Sequence, residues 1–324
     1  MTKRNQLSLG ISSSLLALAL SIVIGAGSDC PARAPQDPDL ALAERLFDHG
    51  HYGKAANYYT KFLKKHPTNA LVIGKRAKCY NRCGSDELAV KELDKALRID
   101  PNLFWGYKWR GETNFNLGRF KDALADFERA RRLPHGKEQY SLARWMGQTY
   151  DALGQEQKAF DELARSIREH AAVKEDSPSW RENQQDLYRI RGQTLFNHKR
   201  YDEAVHDLSE AIKVGSPGSF SEEITMNRAD CYMALKKYDE AIADYSTLLK
   251  FSPEDEVAFE KRAHAYEGKG EHKRALADIS KAISNYLGED RSKLYRFRAS
   301  IHAKLGNKER AQQDLARAAK KPSF

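Results

Sequence analysis

The residues of this 324-residue chain with the right types for chemistry are few and scattered. His49 and His51 flank Gly50 and suit a metal, but no Cys or carboxylate stands at ligand spacing, so a solvated turn accounts for them better. Cys79 and Cys83 are four apart on one helix face, roughly 6 Å between Cα atoms, which is within disulfide reach although a helix aims the two side chains poorly. A zinc site needs two further ligands, and none is near in sequence, so free, partly buried thiols are expected. The acid pairs Asp202-Glu203 and Asp239-Glu240 have the composition of acid–base machinery, but they stand at helix starts, where carboxylates complement the helix dipole. The chain has no P-loop, no Gly-x-Gly-x-x-Gly after a strand, no Gly-x-Ser-x-Gly and no His-Glu-x-x-His. No catalytic residue, metal or cofactor is expected, and the protein is read as a non-enzyme.

What must position any binding residues is a repeat. Alanine recurs at Ala55, Ala89, Ala123, Ala159, Ala204, Ala241, Ala275 and Ala311, with spacings of 34, 34, 36, 45, 37, 34 and 36. Twelve residues before each alanine stands a small residue: Ala43, Ala77, Gly111, Gly147, Gly192, Ala229, Ala263 and Ala299. Four residues after each stands a bulky one, from Tyr59 and Leu93 through to Ile279 and Leu315. Glycines at 50, 84, 118, 154, 270 and 306 mark tight turns, and Pro67, Pro101, Pro134, Pro217 and Pro253 close units. Helices this short must bury an apolar stripe to be stable, and small residues at two fixed positions let paired helices approach closely.

This pattern resembles the tetratricopeptide repeat family, whose unit is 34 residues of helix, turn, helix. The resemblance covers residue 36 to the C-terminus in eight units, beginning near 36, 70, 104, 140, 185, 222, 256 and 292. It implies an all-α fold, a right-handed α-solenoid of about eight helix-turn-helix repeats. The organisation read from the chain is a leader at 1–28, a proline-containing linker at 29–38, repeats 1–4 at 39–170, an insertion at 171–184 and repeats 5–8 at 185–324. The insertion is read as a hinge or as an elongated helix followed by a loop at Ser177-Pro178. Asn114 and His302 stand where the family usually has a bulky apolar residue, and Asp86, Glu156 and Lys308 replace a turn tyrosine, which predicts looser packing in repeats 2, 4 and 8.

In this family the first helices line a concave groove that takes extended peptides or partner helices. Counted from each unit's start, positions 2, 5, 6, 9 and 12 face it. In repeats 2 to 5 this surface includes Lys75, Lys78, Trp105, Lys108, Trp109, Phe115, Arg144, Trp145, Arg189 and Phe196. Aromatic and cationic side chains together suit a peptide with apolar anchors and acidic groups. The alternative is that the tryptophans wedge between adjacent repeats. The family's carboxylate-clamp subclass places basic and Asn residues across three repeats, and Arg189, Gln193, Asn227 and Lys261 stand at the matching positions, with Gln193 for the usual Asn and Val257 for a usual Lys.

Lys3 and Arg4 precede an uncharged stretch from Gln6 to Ser28, the form of a cleaved secretory signal or of an anchor at residues 7–27. Either places the repeats across a membrane, periplasmic, secreted or anchored. Asp29 before Cys30 departs from the bacterial lipobox. The chain carries 54 Lys and Arg against 45 Asp and Glu, a net charge of +9, which raises nucleic acid as a partner. Over positions 2, 5, 6, 9, 12 and 13 of the eight units, however, ten residues are basic and ten acidic, so no basic stripe runs along the groove. The expected function is an adaptor for a protein or peptide ligand. A nucleic-acid-binding solenoid and a recruitment module for an associated enzyme are the alternatives, and no nucleic-acid partner is expected.

Overall fold

A computed structural model describes residues 37–134, 139–173, 177–215, 221–288 and 290–319. Among them lie sixteen helices and no strand. They fall into eight consecutive antiparallel pairs. The first four are α1 (Pro38–Asp48) with α2 (Tyr52–Lys65), α3 (Ala70–Arg82) with α4 (Asp86–Ile99), α5 (Phe104–Asn116) with α6 (Phe120–Arg131), and α7 (Gln139–Ala152) with α8 (Glu156–Ala172). The rest are α9 (Pro178–Asn197) with α10 (Tyr201–Val214), α11 (Ser221–Ala234) with α12 (Tyr238–Phe251), α13 (Glu256–Gly268) with α14 (His272–Asn285), and α15 (Ser292–Lys304) with α16 (Lys308–Ala319). The leader, most of the linker, Cys30 and the tail after Ala319 lie outside the described residues. Pro38, read as linker, is the first residue of α1, where its missing N–H has no intrahelical partner to lose. Among the described residues no helix is long and apolar enough to cross a membrane.

The periodic alanines are the contact rows of the pairs. All eight are buried, as are the bulky residues one turn later as far as Ile279; Leu315, on α16, is exposed. At Gly111 the fit is so close that an added Cβ would lie 2.5 Å from the Phe127 ring. First helices of successive pairs also touch, α3 with α5, α5 with α7 and α9 with α11, whereas no second helix reaches the next second helix as closely. The stack is therefore concave on its first-helix side and convex on its second-helix side.

The turns inside the pairs need one residue with positive φ. Six repeats put glycine there, as at Gly84 with φ +77°, but repeats 5 and 6 use Lys199 (φ 61°) and Lys236 (φ 57°). An L-residue in this region costs about 1–2 kcal/mol, part of which is regained because glycine is more flexible unfolded. Lys199→Gly and Lys236→Gly are each expected to stabilise the protein by about 0.5–1 kcal/mol, read as a higher denaturation midpoint. An unchanged or lower midpoint would show that the turns tolerate lysine without strain.

Residues 171–184 divide between the end of α8, a short link and the first turns of α9, a 20-residue helix capped by Ser177, whose Oγ accepts from Trp180 N. The Trp180 ring stacks on His170 and its Nε1 donates to the His170 carbonyl. Gln184 and Gln185 are buried. The added length is thus packed helix on both sides of a few linking residues. Asn114 and His302 are buried too. Asn114 donates to Asp126 at 3.2 Å, while His302 Nδ1 has no partner among the described residues, and burial holds that imidazole below its ordinary pKa.

A second periodic feature ties the pairs together. Position 7 of a unit is arginine in six repeats, and the acid sixteen residues later accepts from it: Arg76 with Glu92, Arg110 with Asp126, Arg191 with Asp207, Arg228 with Asp244, Arg262 with Asp278 and Arg298 with Asp314. In five of them Nη1 also donates back to position 25 of the preceding unit: Thr60, Asp94, Ser209, Ser246 and Ser280. Each of these guanidinium groups bolts two repeats. Where repeat 4 meets repeat 5, position 25 is Ala164, Arg191 holds Asp207 alone, and a cleft of about 360 Å3 opens beside it.

Candidate functional site

The concave face is laced by ion pairs between neighbouring first helices. Lys75 of α3 donates to Glu44 of α1 at 2.5 Å, and Lys78 pairs with Glu112 of α5. Arg144 of α7 donates to Asp186 of α9 at 2.8 Å, Arg189 to Glu223 of α11 at 3.1 Å, and Lys261 of α13 to Asp230 of α11 at 2.7 Å; Lys304 pairs with Glu267. The balanced groove charge is thus largely spent on joining repeats. Of the residues at clamp positions, Arg189 is also held by Asp186, and Lys261 contacts both oxygens of Asp230. Gln193 donates to Asn197, and Asn227 is half-buried.

The junction of α5 with α7 has a different make-up. That junction is aromatic. Phe115 meets Trp145 edge-on at 5.4 Å, and Trp145 lies nearly parallel to Phe127 at 6.2 Å with the Arg144 guanidinium 5.1 Å from its centre. Phe115 and Trp145 are half-buried, so an edge of each remains accessible. One junction earlier the rings are used differently. Trp109 is only 9% exposed and packs among Ala77, Ala89 and Leu93, with its ring 3.0 Å from where a Gly74 Cβ would stand. Trp105 stacks on it at 5.3 Å, and buried Lys108 sits 4.8 Å from the centre of the Trp105 ring. Trp109 wedges between repeats 2 and 3, while Trp105 covers it. Phe196 packs edge-on against Tyr201 within its own repeat.

Beside the α5–α7 aromatics the groove deepens into a cleft of about 270 Å3. Phe115 of α5, Gln148 and Asp151 of α7, and Arg189, Gln193 and Asn197 of α9 line it. The structure therefore gathers Phe115, Arg189 and Gln193 into one place and leaves Lys75 and Lys78 on repeat 2 and Asn227 and Lys261 on repeats 6 and 7. His198 braces the cleft from below, its Nε2 2.6 Å from Asp151 and its Nδ1 3.3 Å from Glu156, across the repeat 4–5 joint. Gln148, Asp151 and Asn197 were not singled out from the sequence, although Gln148 and Asp151 occupy groove positions 9 and 12; their types look like ordinary solvated helix surface.

Nothing in the site resembles a nucleophile with its base. Cys79, Cys83 and Cys231 are unbonded, and burial pushes the Cys79 and Cys231 thiols up to about 12, the opposite of activation. Among the described residues no group of three or more His, Cys, Asp or Glu could hold a metal.

Comparison with known proteins agrees with the architecture. The tetratricopeptide repeat family model matches residues 40–103 and 191–256. The Hsp70-Hsp90 organizing protein of Triticum aestivum is 28% identical over 97 residues, which is 28% of this chain and 17% of that protein. Human serine/threonine-protein phosphatase 5 is 30% identical over 112 residues, 32% of this chain and 22% of that protein. The chain thus spans about a fifth of the length of these relatives. The crystal structure of PilW, a type IV pilus biogenesis factor, superposes with a TM-score of 0.59 at 19% identity, covering 69% of this chain and 94% of that one.

Proposed function

We propose that this stack of helix pairs, which the tetratricopeptide repeat family model matches at residues 40–103 and 191–256, is a non-enzymatic adaptor that binds a protein or an extended peptide in its concave groove, centred on the cleft between α5, α7 and α9. The observation that carries this reading is the coincidence, at the α5–α7 junction, of two accessible ring edges and an amide-lined cleft. The Gln193–Asn197 bond leaves the Gln193 side-chain carbonyl and the Asn197 amide nitrogen for a ligand. Amides both donate and accept, which is what a peptide backbone requires, and the Phe115 and Trp145 edges offer an apolar anchor beside them. The relatives support protein partners: one is named as an organizer of Hsp70 and Hsp90. A phosphatase is also among the relatives, matched over 22% of its own length. The charge pattern of residues 1–28 supports a place beyond a membrane, anchored by residues 7–27 or released from it, and mass measurement of the mature N-terminus tests this.

The test is selection of peptides from a displayed library, followed by binding to variants. Phe115→Ala with Gln193→Ala is expected to weaken captured peptides about 10- to 100-fold with little change in melting, since hot-spot truncations cost about 2 kcal/mol or more. Unchanged affinity in a folded double variant would move the site elsewhere.

A further inference from the structure

The excess positive charge missing from the groove is ordered on the opposite face. Positions 26 and 29 of a unit lie on the last turns of the second helix, three residues apart and so on one face. In α2 they are Lys61 and Lys64, and in α4 Lys95 and Arg98. In α6 and at its C-cap they are Arg129 and Arg132, and in α8 Arg165 and Arg168. All eight are basic, and all but Arg165 are exposed. Arg165 pairs with Glu162 and Glu169; the other seven have no ion pair among the described residues. Of the acids on these helices, Glu92, Asp94 and Asp126 are occupied by the arginine bolts, and Glu162 and Glu169 by Arg165.

Basic residues near a helix C-terminus complement its dipole, but that need is the same in every repeat. In α10, α12 and α14 the same two positions are Glu210 and Lys213, Thr247 and Lys250, and Lys281 and Ser284. The doubled row runs unbroken through repeats 1–4, lapses in repeats 5–7, and returns at Arg317 and Lys320 of repeat 8, where Arg317 pairs with Asp314. Nine residues separate Ser28 from Pro38, so even a fully extended link keeps α1 within about 30 Å of the long apolar run of the leader. The row therefore lies on the repeats that this run would hold nearest to a bilayer.

We propose that the convex face of repeats 1–4 is a docking surface for an anionic phospholipid bilayer, which leaves the concave groove turned away from the membrane and open to its ligand. Clustered Lys and Arg beside a membrane segment are attracted by anionic headgroups. The proposal is independent of which peptide the groove takes.

The test uses the full chain with vesicles of phosphatidylcholine, and of phosphatidylcholine containing phosphatidylglycerol at about one part in three. The leader contributes to both, so the readout is the ratio of the two partition coefficients. The wild type is expected to prefer the anionic vesicles at least about 100-fold at low salt and to lose the preference near 1 M salt, where the Debye length falls to about 3 Å. Lys64→Glu, Lys95→Glu and Arg132→Glu combined should cut the ratio about 100-fold, roughly fivefold per cation. Lys213→Glu, Lys250→Glu and Lys273→Glu, the same change in net charge on repeats 5–7, should cut it less than about threefold. The three stripe residues are exposed and unpaired, and a Lys64→Gln, Lys95→Gln, Arg132→Gln version repeats the test if the charge reversal disturbs folding. Equal losses from the two triples would overturn the proposal, as would a wild type without anionic preference. So would an RNA or DNA oligonucleotide that displaces the vesicles and loses its own binding in the stripe variant, which would make this a nucleic-acid surface.

Discussion

Trp109→Ala is expected to destabilise the protein by about 3–5 kcal/mol, the range for emptying a buried aromatic site. Its ring fills the space left by the missing side chain of Gly74 and touches the alanine row of repeat 2, and Trp105 closes over it. Deleting it leaves a cavity between two repeats that rigid helices cannot collapse into, and the half-buried Trp105 loses its platform. Trp105→Ala should cost about half as much, because less apolar area leaves the interior. Denaturant unfolding followed by circular dichroism measures both. A Trp109→Ala protein within about 1 kcal/mol of wild type would place the ring in the groove as a ligand contact. The expected loss also bears on binding experiments: weakened capture by this variant reports lost packing, and only Phe115 and Gln193 test the cleft itself.

Asp244→Ala should be nearly as severe, about 3–5 kcal/mol, because it removes one partner of a buried ion pair and strands the other. Asp244 is 7% exposed and accepts from Arg228 Nε at 2.8 Å and Nη2 at 2.7 Å, while Arg228 Nη1 donates to Ser209 of the preceding repeat at 3.2 Å. Without the carboxylate the guanidinium is left in a site built around it, with one hydroxyl for company. Arg228→Met combined with Asp244→Leu is expected to lie within about 1 kcal/mol of wild type, since a packed apolar pair offsets the loss of a desolvated ionic one. A loss below about 1 kcal/mol for Asp244→Ala alone would mean that the pair behaves as a surface salt bridge. In a stacked array each repeat leans on its neighbours, so the single variant should also lower hydrogen-exchange protection in α10, which holds Ser209.

The helix pairs, their number and their turns were legible because each depends on residues close in sequence. Ala204 and Gly192 report a close helix crossing wherever they recur twelve apart, and Tyr59 or Leu93 one turn later reports the side that must be buried. The Lys199 and Lys236 turns were the exception, since a lysine carries no sign of the φ its neighbours impose. The arginine bolts were present as a period at positions 7 and 23, yet Arg and Asp sixteen apart look like solvated charge until the pair is known to share a helix–helix seam.

By itself the sequence determined that this protein is an eight-unit helical stack. Short-range patterns suffice for that, because every unit solves the same packing problem with the same spacing. Only the tertiary structure decided what each groove residue does. Lys75, Lys78, Arg144 and Lys261 have the composition of a ligand site, but the partners that occupy their charges sit 31 to 42 residues away on neighbouring helices. Trp109 and Trp145 occupy the same position of successive repeats; Gly74 makes room for one, and Phe115 and Phe127 hold the other at the surface. The side chain across the seam, which sequence spacing does not name, separates core from site.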